Sequence, residues 1–141
     1  MKHWKNLKSI FAGIALLFAC AATNAAVKAD QRSQSDVVKT YIEDISKSKT
    51  TDLDKVLAPD MHFNMQRGQN VNTLDKDDLI KSLQSATSNQ PVNTDSTIMQ
   101  QEDNSAKIKV VFKYDGYTRT DVVTVAKVYG WQVTNVDSSY N

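Results

Sequence analysis

One stretch of the chain has apolar side chains at helical spacing behind a helix-capping residue. The cap is Ser35, whose hydroxyl can accept a hydrogen bond from a backbone N–H of the first helical turn. The apolar positions that follow are Val37, Val38, Tyr41, Ile42 and Ile45. Residues four apart lie on one face of a helix, so this pattern predicts a first helix with one buried face.

Two shorter helices and a strand are predicted next. Thr51 opens a short helix that ends before Pro59 and turns three side chains inward, Leu53, Val56 and Leu57. A strand is predicted where apolar and polar residues alternate, with Met61, Phe63 and Met65 on its apolar side. Asp75 caps a third helix, which buries Leu79, Ile80 and Leu83. Residues 67–72 are predicted to form a turn and residues 85–95 a loop.

The second half of the chain alternates between apolar and polar residues, which predicts strands. They cover residues 97–101, 106–114, 117–128 and 131–137. Asp115-Gly116 suits a two-residue hairpin loop, because such a loop needs positive φ angles that glycine tolerates. This hairpin fixes a register in which Tyr114 faces Tyr117, Phe112 faces Arg119, Val110 faces Asp121 and Ile108 faces Val123.

That register places two charged side chains on an apolar side of the sheet. Arg119 and Asp121 share this side with Ile108, Val110 and Phe112. The opposite side carries Lys107, Lys109 and Lys113 and must face solvent. Buried charges are tolerated when they are paired with each other, or when they line a cavity that a ligand enters.

The first 25 residues have the features of a secretory signal peptide. Three lysines precede an apolar run over residues 10–22, and small residues follow up to Ala25. The run is about 13 residues long, shorter than the roughly 20 that span a bilayer. We therefore expect cleavage after Ala25, a flexible leader over residues 26–35, and one domain over residues 36–141 without a transmembrane segment.

Cys20 allows two hypotheses about where the exported protein is located. It ends the run Leu17-Phe18-Ala19-Cys20, which resembles a bacterial lipobox, although Phe18 occupies a position that normally holds a small residue. One hypothesis is a periplasmic or secreted protein that has lost Cys20 with its signal. The alternative is an outer-membrane lipoprotein anchored through Cys20. In the first case the mature chain has no cysteine, which excludes thiol catalysis and cysteine-based metal sites.

Charge and composition exclude further classes of function. The chain has 40% hydrophobic and 23% charged residues, as expected for one globular domain. Its 17 basic and 16 acidic residues become 14 and 16 after signal cleavage, so nucleic-acid binding is not expected. His62 is the only histidine after the signal and is predicted to be exposed. Since spacings typical of metal ligands or phosphate loops are missing, no metal and no cofactor are expected.

The order of helices and strands, and above all the closing segment Asp121 to Val136, resembles the nuclear transport factor 2-like (NTF2-like) superfamily. That segment contains a strand of alternating hydrophobic residues, a Gly130-Trp131 turn and a final strand ending in Asn135-Val136. It is most similar to the branch called SnoaL-like or "putative lumazine-binding" proteins. The resemblance implies an α+β cone, in which a curved antiparallel sheet wraps three N-terminal helices and a hydrophobic pocket opens between them.

Candidate pocket residues are those that the pattern turns toward this interior. They are Tyr41, Met65, Met99, Phe112, Tyr114, Tyr117, Arg119 and Asp121. Aromatic rings and methionine at such positions also suit plain core packing. Arg119 could clamp a carboxylate or phosphate. Asp121 could act as a general base, although the adjacent guanidinium would make it less basic and a structural Arg119–Asp121 contact is the simpler interpretation.

Three functions follow as hypotheses. The first is an exported domain that holds a small hydrophobic molecule without catalysis. The second is an enzyme of the isomerase, dehydratase or cyclase type, with Asp121 as base and Tyr114 or Tyr117 as hydrogen-bond donor. The third is a protein-interaction module that uses the outer face of the sheet. The superfamily contains enzymes and binding proteins alike, so the resemblance does not choose a reaction.

Homodimerisation is also expected, because relatives pair through the outer face of the sheet. A two-residue loop at Tyr129-Gly130 would make Val128 oppose Trp131 and Ala126 oppose Val133. The predicted dimer face is then an apolar patch of Val122, Ala126, Val128, Trp131 and Val133, which a second subunit would cover. A longer loop would change this register and turn Trp131 inward.

Overall fold

The computed structural model of the protein describes residues 32–87 and 89–141. These residues form three helices and six strands. In chain order they are α1 (Gln34–Lys47), α2 (Thr51–Val56), β1 (Leu57–Arg67), β2 (Asn70–Leu74), α3 (Lys76–Ser85), β3 (Asn93–Gln101), β4 (Ser105–Tyr114), β5 (Tyr117–Lys127) and β6 (Trp131–Tyr140). The predicted signal peptide and Cys20 lie outside the described residues.

Helix α1 begins two residues earlier than predicted. Its cap is Ser33, not Ser35, because Ser33 and Asp36 form a capping box in which each side chain accepts the other's backbone N–H. The predicted leader over residues 26–35 therefore overlaps the start of the helix. Val37, Tyr41 and Ile45 are buried on one face, as the spacing predicted.

The other two helices occur near their predicted positions. Helix α2 ends at Val56, and Pro59 lies within β1, at an irregularity of the β1–β6 ladder where a missing backbone donor is tolerated. Asp75 caps α3 as predicted, accepting the Asp78 backbone N–H at 2.8 Å. Strand β2 begins within the residues that were predicted to form a turn. The prediction missed this strand because its sequence is largely polar and lacks an apolar alternation.

The strands form one curved sheet in the order β2-β1-β6-β5-β4-β3. Four of the five strand pairs are antiparallel, as the resemblance implied, whereas β1 and β6 pair in parallel, with Phe63 beside Val136. The chain reaches this arrangement because β1 and β6 are separated by all the other strands, so no hairpin constrains their direction.

The β4–β5 hairpin has the predicted register at every position. Tyr114 pairs with Tyr117, Phe112 with Arg119, Val110 with Asp121 and Ile108 with Val123. Gly116 has a φ of +90°, as the two-residue loop requires. The side of the sheet that carries Arg119 and Asp121 therefore faces the helices.

The β5–β6 hairpin contradicts the predicted dimer face. Its loop contains three residues, Val128, Tyr129 and Gly130, so Lys127 rather than Val128 pairs with Trp131. Val133 pairs with Val125 and is fully buried, and Trp131 packs against the core. Val122 and Ala126 remain on the outer face but have Asp137 and Gln132 as cross-strand neighbours. The predicted apolar patch does not exist, because one additional loop residue reverses the orientation of β6.

The hydrophobic core lies between the inner face of the sheet and the three helices. It contains Tyr41 and Leu53 from the helices and the large side chains of the central strands, among them Met61, Phe63, Phe112, Val123, Val125, Val133 and Val136. Asp121 is the one fully buried charged residue among the described residues. None of the helices in this part of the chain is long and apolar enough to cross a membrane.

Candidate functional site

The two charges that the hairpin register turns inward form a tight ion pair. Arg119 donates from Nε to Asp121 Oδ1 at 2.8 Å and from Nη2 to Asp121 Oδ2 at 2.7 Å. This two-point geometry is the strongest arrangement of a guanidinium and a carboxylate. Asp121 is completely buried, and the Arg119 side chain is 11% exposed.

A tyrosine from α1 completes the carboxylate's coordination. The Tyr41 hydroxyl donates to Asp121 Oδ2 at 2.7 Å, and its ring is fully buried. Burial and the charge of Asp121 both raise the pKa of Tyr41 well above its ordinary value, so the phenol remains protonated. Both carboxylate oxygens of Asp121 are therefore engaged from within the protein.

Two aromatic rings hold the guanidinium in place. The Arg119 Cζ atom lies 5.3 Å from the ring centre of Phe63 and 5.3 Å from that of Phe112. Such contacts stabilise a cation that has been withdrawn from water. Burial by itself lowers the pKa of Arg119, but the charge and hydrogen bonds of Asp121 outweigh it and raise the pKa above its ordinary value. The guanidinium is permanently charged.

A pocket of about 210 Å³ is lined by Arg119 but not by Asp121. Its walls come from the end of α1, from α3 and from five of the six strands. The lining residues include Phe63, Met65, Leu79, Leu83, Tyr114, Tyr117, Tyr140, Arg67 and Arg119. Among the described residues that line it there are two arginines and no carboxylate.

Three tyrosine rings lie close together in the lining of the pocket. The rings of Tyr114 and Tyr117 stack with centres 4.7 Å apart and an interplanar angle of 10°. Tyr140 lies 6.1 Å from Tyr117, and the Arg67 Cζ atom is 5.4 Å from the centre of the Tyr140 ring. Burial raises the pKa of Tyr114. The pocket lining therefore combines aromatic rings with phenol and guanidinium hydrogen-bond donors.

The structure separates the predicted pocket residues into three groups. Met65, Tyr114, Tyr117 and Arg119 line the pocket. Tyr41, Phe112 and Asp121 do not line it and are fully buried. Met99 lies on β3 with 57% of its surface exposed and does not line the pocket. Its alternation with Thr97 is interrupted by a bulge between Ile98 and Gln100, which the sequence did not reveal.

Three aromatic or charged residues of the pocket were not predicted as pocket residues. Phe63 was assigned to the core only, Arg67 to a turn, and Tyr140 to the tail beyond the last strand. Because β6 extends to Tyr140, the alternation that turns Val136 and Ser138 inward also turns Tyr140 inward. Continuing the period-two pattern past residue 137 would have found it.

Three further features bear on the chemistry. His62 is exposed on the outer face, as predicted. Among the described residues, no cluster of histidine, cysteine or acidic side chains could hold a metal ion. A larger groove of about 550 Å³ lies between α1 and β3, but its apolar floor contains no buried charged group. The arginine–tyrosine pocket is therefore the candidate ligand site.

Comparison with solved structures defines the class of fold. An NTF2-like protein from Shewanella baltica OS155 superposes with a TM-score of 0.63 at 14% identity, covering 76% of this chain and 90% of that one. An NTF2-like protein from Silicibacter pomeroyi DSS-3 gives 0.59 at 15% identity, with the same coverages. A protein described as a putative ketosteroid isomerase, from Parabacteroides distasonis ATCC 8503, gives 0.56 at 8% identity, covering 79% and 89%. The protein has the α+β NTF2-like cone fold.

A family model identifies the chain more closely. The family described as "Putative lumazine-binding" matches residues 29–137, and the chain belongs to this family. A search among curated proteins found no match. Family and fold together indicate a domain that binds a small ligand.

Proposed function

We propose that this protein is an exported domain that binds a small, planar and largely apolar molecule in the arginine–tyrosine pocket, without catalysing a reaction. The stacked pair of Tyr114 and Tyr117 offers a flat surface to a ring. Arg119 and Arg67 favour a carbonyl or carboxylate oxygen on that ring. A cavity of about 150 Å³ holds benzene, so about 210 Å³ suits one ring or a compact bicyclic system.

One observation carries the choice of binding over catalysis. Asp121 is fully buried beneath Arg119, and its oxygens accept hydrogen bonds from Arg119 and Tyr41. A general base must come within hydrogen-bond reach of the proton that it removes. Asp121 meets no ligand in this arrangement, which supports a positioning role: it holds the guanidinium at the floor of the pocket.

Lumazine is a suitable probe, because it is a planar heterocycle with carbonyl oxygens and because the family description names it. Isothermal titration calorimetry should detect binding to the protein purified from cells that express the full chain. Tyr114→Leu, which removes half of the stacked pair, should weaken binding by about fivefold, since stacking contributes about 1 kcal/mol.

The matched control is Tyr129→Leu, which removes a tyrosine that is 77% exposed on the β5–β6 loop. It should leave lumazine binding unchanged. Native mass spectrometry of protein from its own host would show a retained molecule of another kind. If lumazine does not bind and no small molecule is retained, the proposed ligand-binding function is wrong.

Export is the second part of the proposal and rests on the pattern of residues 1–25. Intact-mass measurement on protein from the host's envelope and culture medium tests it. A chain that begins at Ala26 supports a periplasmic or secreted protein. A chain that begins with an acylated Cys20 supports the outer-membrane lipoprotein, and an unprocessed chain in the cytoplasm contradicts both.

A further inference from the structure

We infer that two copies of this protein pair through β3, edge to edge and antiparallel, so that their sheets become continuous. Strand β3 is the last strand of the sheet, and among the described residues no strand lies beyond it. All nine of its residues are exposed. An unpaired strand of this length presents a row of backbone donors and acceptors that can bind another strand.

β3 has only one of the features that usually protect an edge strand. Its sequence contains no lysine, arginine or proline, and Asp95 is its one charged residue. A bulge after Ile98 is its only irregularity. The opposite edge, β2, is only five residues long, and short edge strands are a common form of protection. The less protected edge is the one that we expect to be paired.

Apolar side chains are concentrated beside the same edge. Among the described residues, seven large hydrophobic side chains are more than one third exposed, and Val92, Ile98 and Met99 are three of them. The groove of about 550 Å³ lies on the inner side of β3, where Val38 and Ile42 of α1 approach Ile98. A neighbouring cavity of about 330 Å³ shares Ile42 and Thr94 with it, so the apolar surface continues toward Val92.

The geometry of β3 favours a second copy as the occupant. The ladder of β3 with β4 is regular from Asn93 to Ile98, and antiparallel pairing about Ser96, which lies within this stretch, places Ser96 opposite Ser96. It also places Asp95 opposite Thr97, so the two Asp95 carboxylates do not face each other. Five paired residues form about four to six interstrand hydrogen bonds. Nothing in this register opposes like charges.

The same register fills the groove of each copy with a side chain from the other. Ile98 of the second copy lies opposite Thr94, which borders the groove next to Ile42. By symmetry, Ile98 of the first copy covers the equivalent surface of the second. The rim of the groove contains both a lysine and a glutamate, Lys39 and Glu43, so two copies related by a two-fold axis offer each other opposite charges.

The decisive test changes the charge at the symmetry axis. In a dimer of Ser96→Lys two lysines would lie opposite each other, and in a dimer of Ser96→Glu two glutamates would. Like charges at this distance repel and should oppose pairing. Sedimentation-equilibrium analysis of the protein purified from cells expressing the full chain should give a dimer for the wild type. Each variant alone should raise the dissociation constant by more than about tenfold. An equimolar mixture of the two variants should restore the dimer, which a misfolded variant could not do.

Asn72→Lys is the matched control, because Asn72 is an exposed residue on the other edge strand. It should leave the dimer unchanged. A second measurement uses Ser96→Cys, which should oxidise to a disulfide-linked dimer, since directly opposed Cβ atoms lie about 4.5 to 5.5 Å apart. The inference is wrong if the wild type is monomeric at about 100 µM, if Ser96→Lys leaves the dimer intact, or if the mixture of variants stays monomeric.

Discussion

The Arg119–Asp121 pair on the inner face of the sheet and the backbone of β3 at its edge are two polar regions whose hydrogen-bonding groups are satisfied in different ways. Asp121 is enclosed, and every oxygen of its carboxylate has a partner within the chain. β3 leaves a row of backbone groups in contact with solvent. Burial makes an unpaired polar group costly, so the interior must pair its own charges. At an exposed edge water supplies the missing partners, which leaves the strand able to exchange water for a second chain.

The largest effect should come from breaking the buried pair. Arg119→Met leaves Asp121 charged and buried with only Tyr41 as partner, which should lower the free energy of unfolding by about 3 to 5 kcal/mol. Urea denaturation at neutral pH measures it.

A triple variant tests whether Arg119→Met loses stability because Asp121 is left unpaired or because packing around residue 119 is lost. Replacing Arg119 by Met, Asp121 by Leu and Tyr41 by Phe together removes the whole polar cluster, and this variant should be more stable than Arg119→Met alone. If the triple variant is less stable than the single one, the cost does not arise from an unpaired buried charge.

The second comparison uses two isoleucines that are neighbours across β3 and β4. Ile108 is 3% exposed and Ile98 is 59% exposed. Ile108→Ala should destabilise the fold by about 2 to 5 kcal/mol as a core truncation. Ile98→Ala should change the stability of the dilute monomer by less than about 0.5 kcal/mol. Equal losses would mean that β3 is packed like the interior, contrary to its exposure.

Removing one hydroxyl tests the deepest part of the buried cluster. Tyr41→Phe deletes the hydrogen bond to Asp121 Oδ2 and should cost about 1.5 to 3 kcal/mol at neutral pH. The effect is smaller than that of Arg119→Met because Arg119 still binds both carboxylate oxygens. A loss below about 0.5 kcal/mol would show that the Tyr41 hydrogen bond contributes little.

The same tyrosine predicts how stability depends on alkaline pH. Burial raises the pKa of Tyr41 in the folded state, whereas in the unfolded chain it ionises near 10.0. The folded state therefore holds a proton that the unfolded state loses, so this contribution to stability is complete below pH 10 and declines above it. Urea titrations at pH 9 and pH 11 should show a steeper loss for the wild type than for Tyr41→Phe. Because burial also raises the pKa of Tyr114, the Tyr41→Phe variant should still lose some stability between pH 9 and pH 11.

The smallest expected effect on stability comes from changing the Asp115-Gly116 turn, which sets the register that places Arg119 and Asp121 on the inner face. Gly116 has a φ of +90°, and a Cβ added there would meet no atom within 4 Å. Gly116→Ala should therefore cost only the backbone strain, about 1 to 2 kcal/mol. Asp115→Asn keeps the turn chemistry and should be nearly neutral. If Gly116→Ala were equally neutral in chemical denaturation, the positive φ would not be needed to hold this register.

Local pattern was enough to predict the elements that depend on nearest neighbours. The three helices follow from apolar spacing and capping residues, and Asp115-Gly116 determined the β4–β5 register. That register alone turned Arg119 and Asp121 inward. This prediction was correct because a two-residue loop allows one strand alignment and because the lysines on the other face of the hairpin must face solvent.

Tertiary structure decided what depends on residues far apart in the chain. The sequence did not show that β1 and β6 pair in parallel, or that Tyr41, 80 residues before Asp121, is its partner. One extra loop residue reversed the orientation of Trp131 and Val133 and removed the predicted dimer face. Which face of β6 is buried, and which sheet edge stays open, results from packing of the whole chain. Period-two alternation defines two faces of a strand but does not say where the rest of the protein will lie.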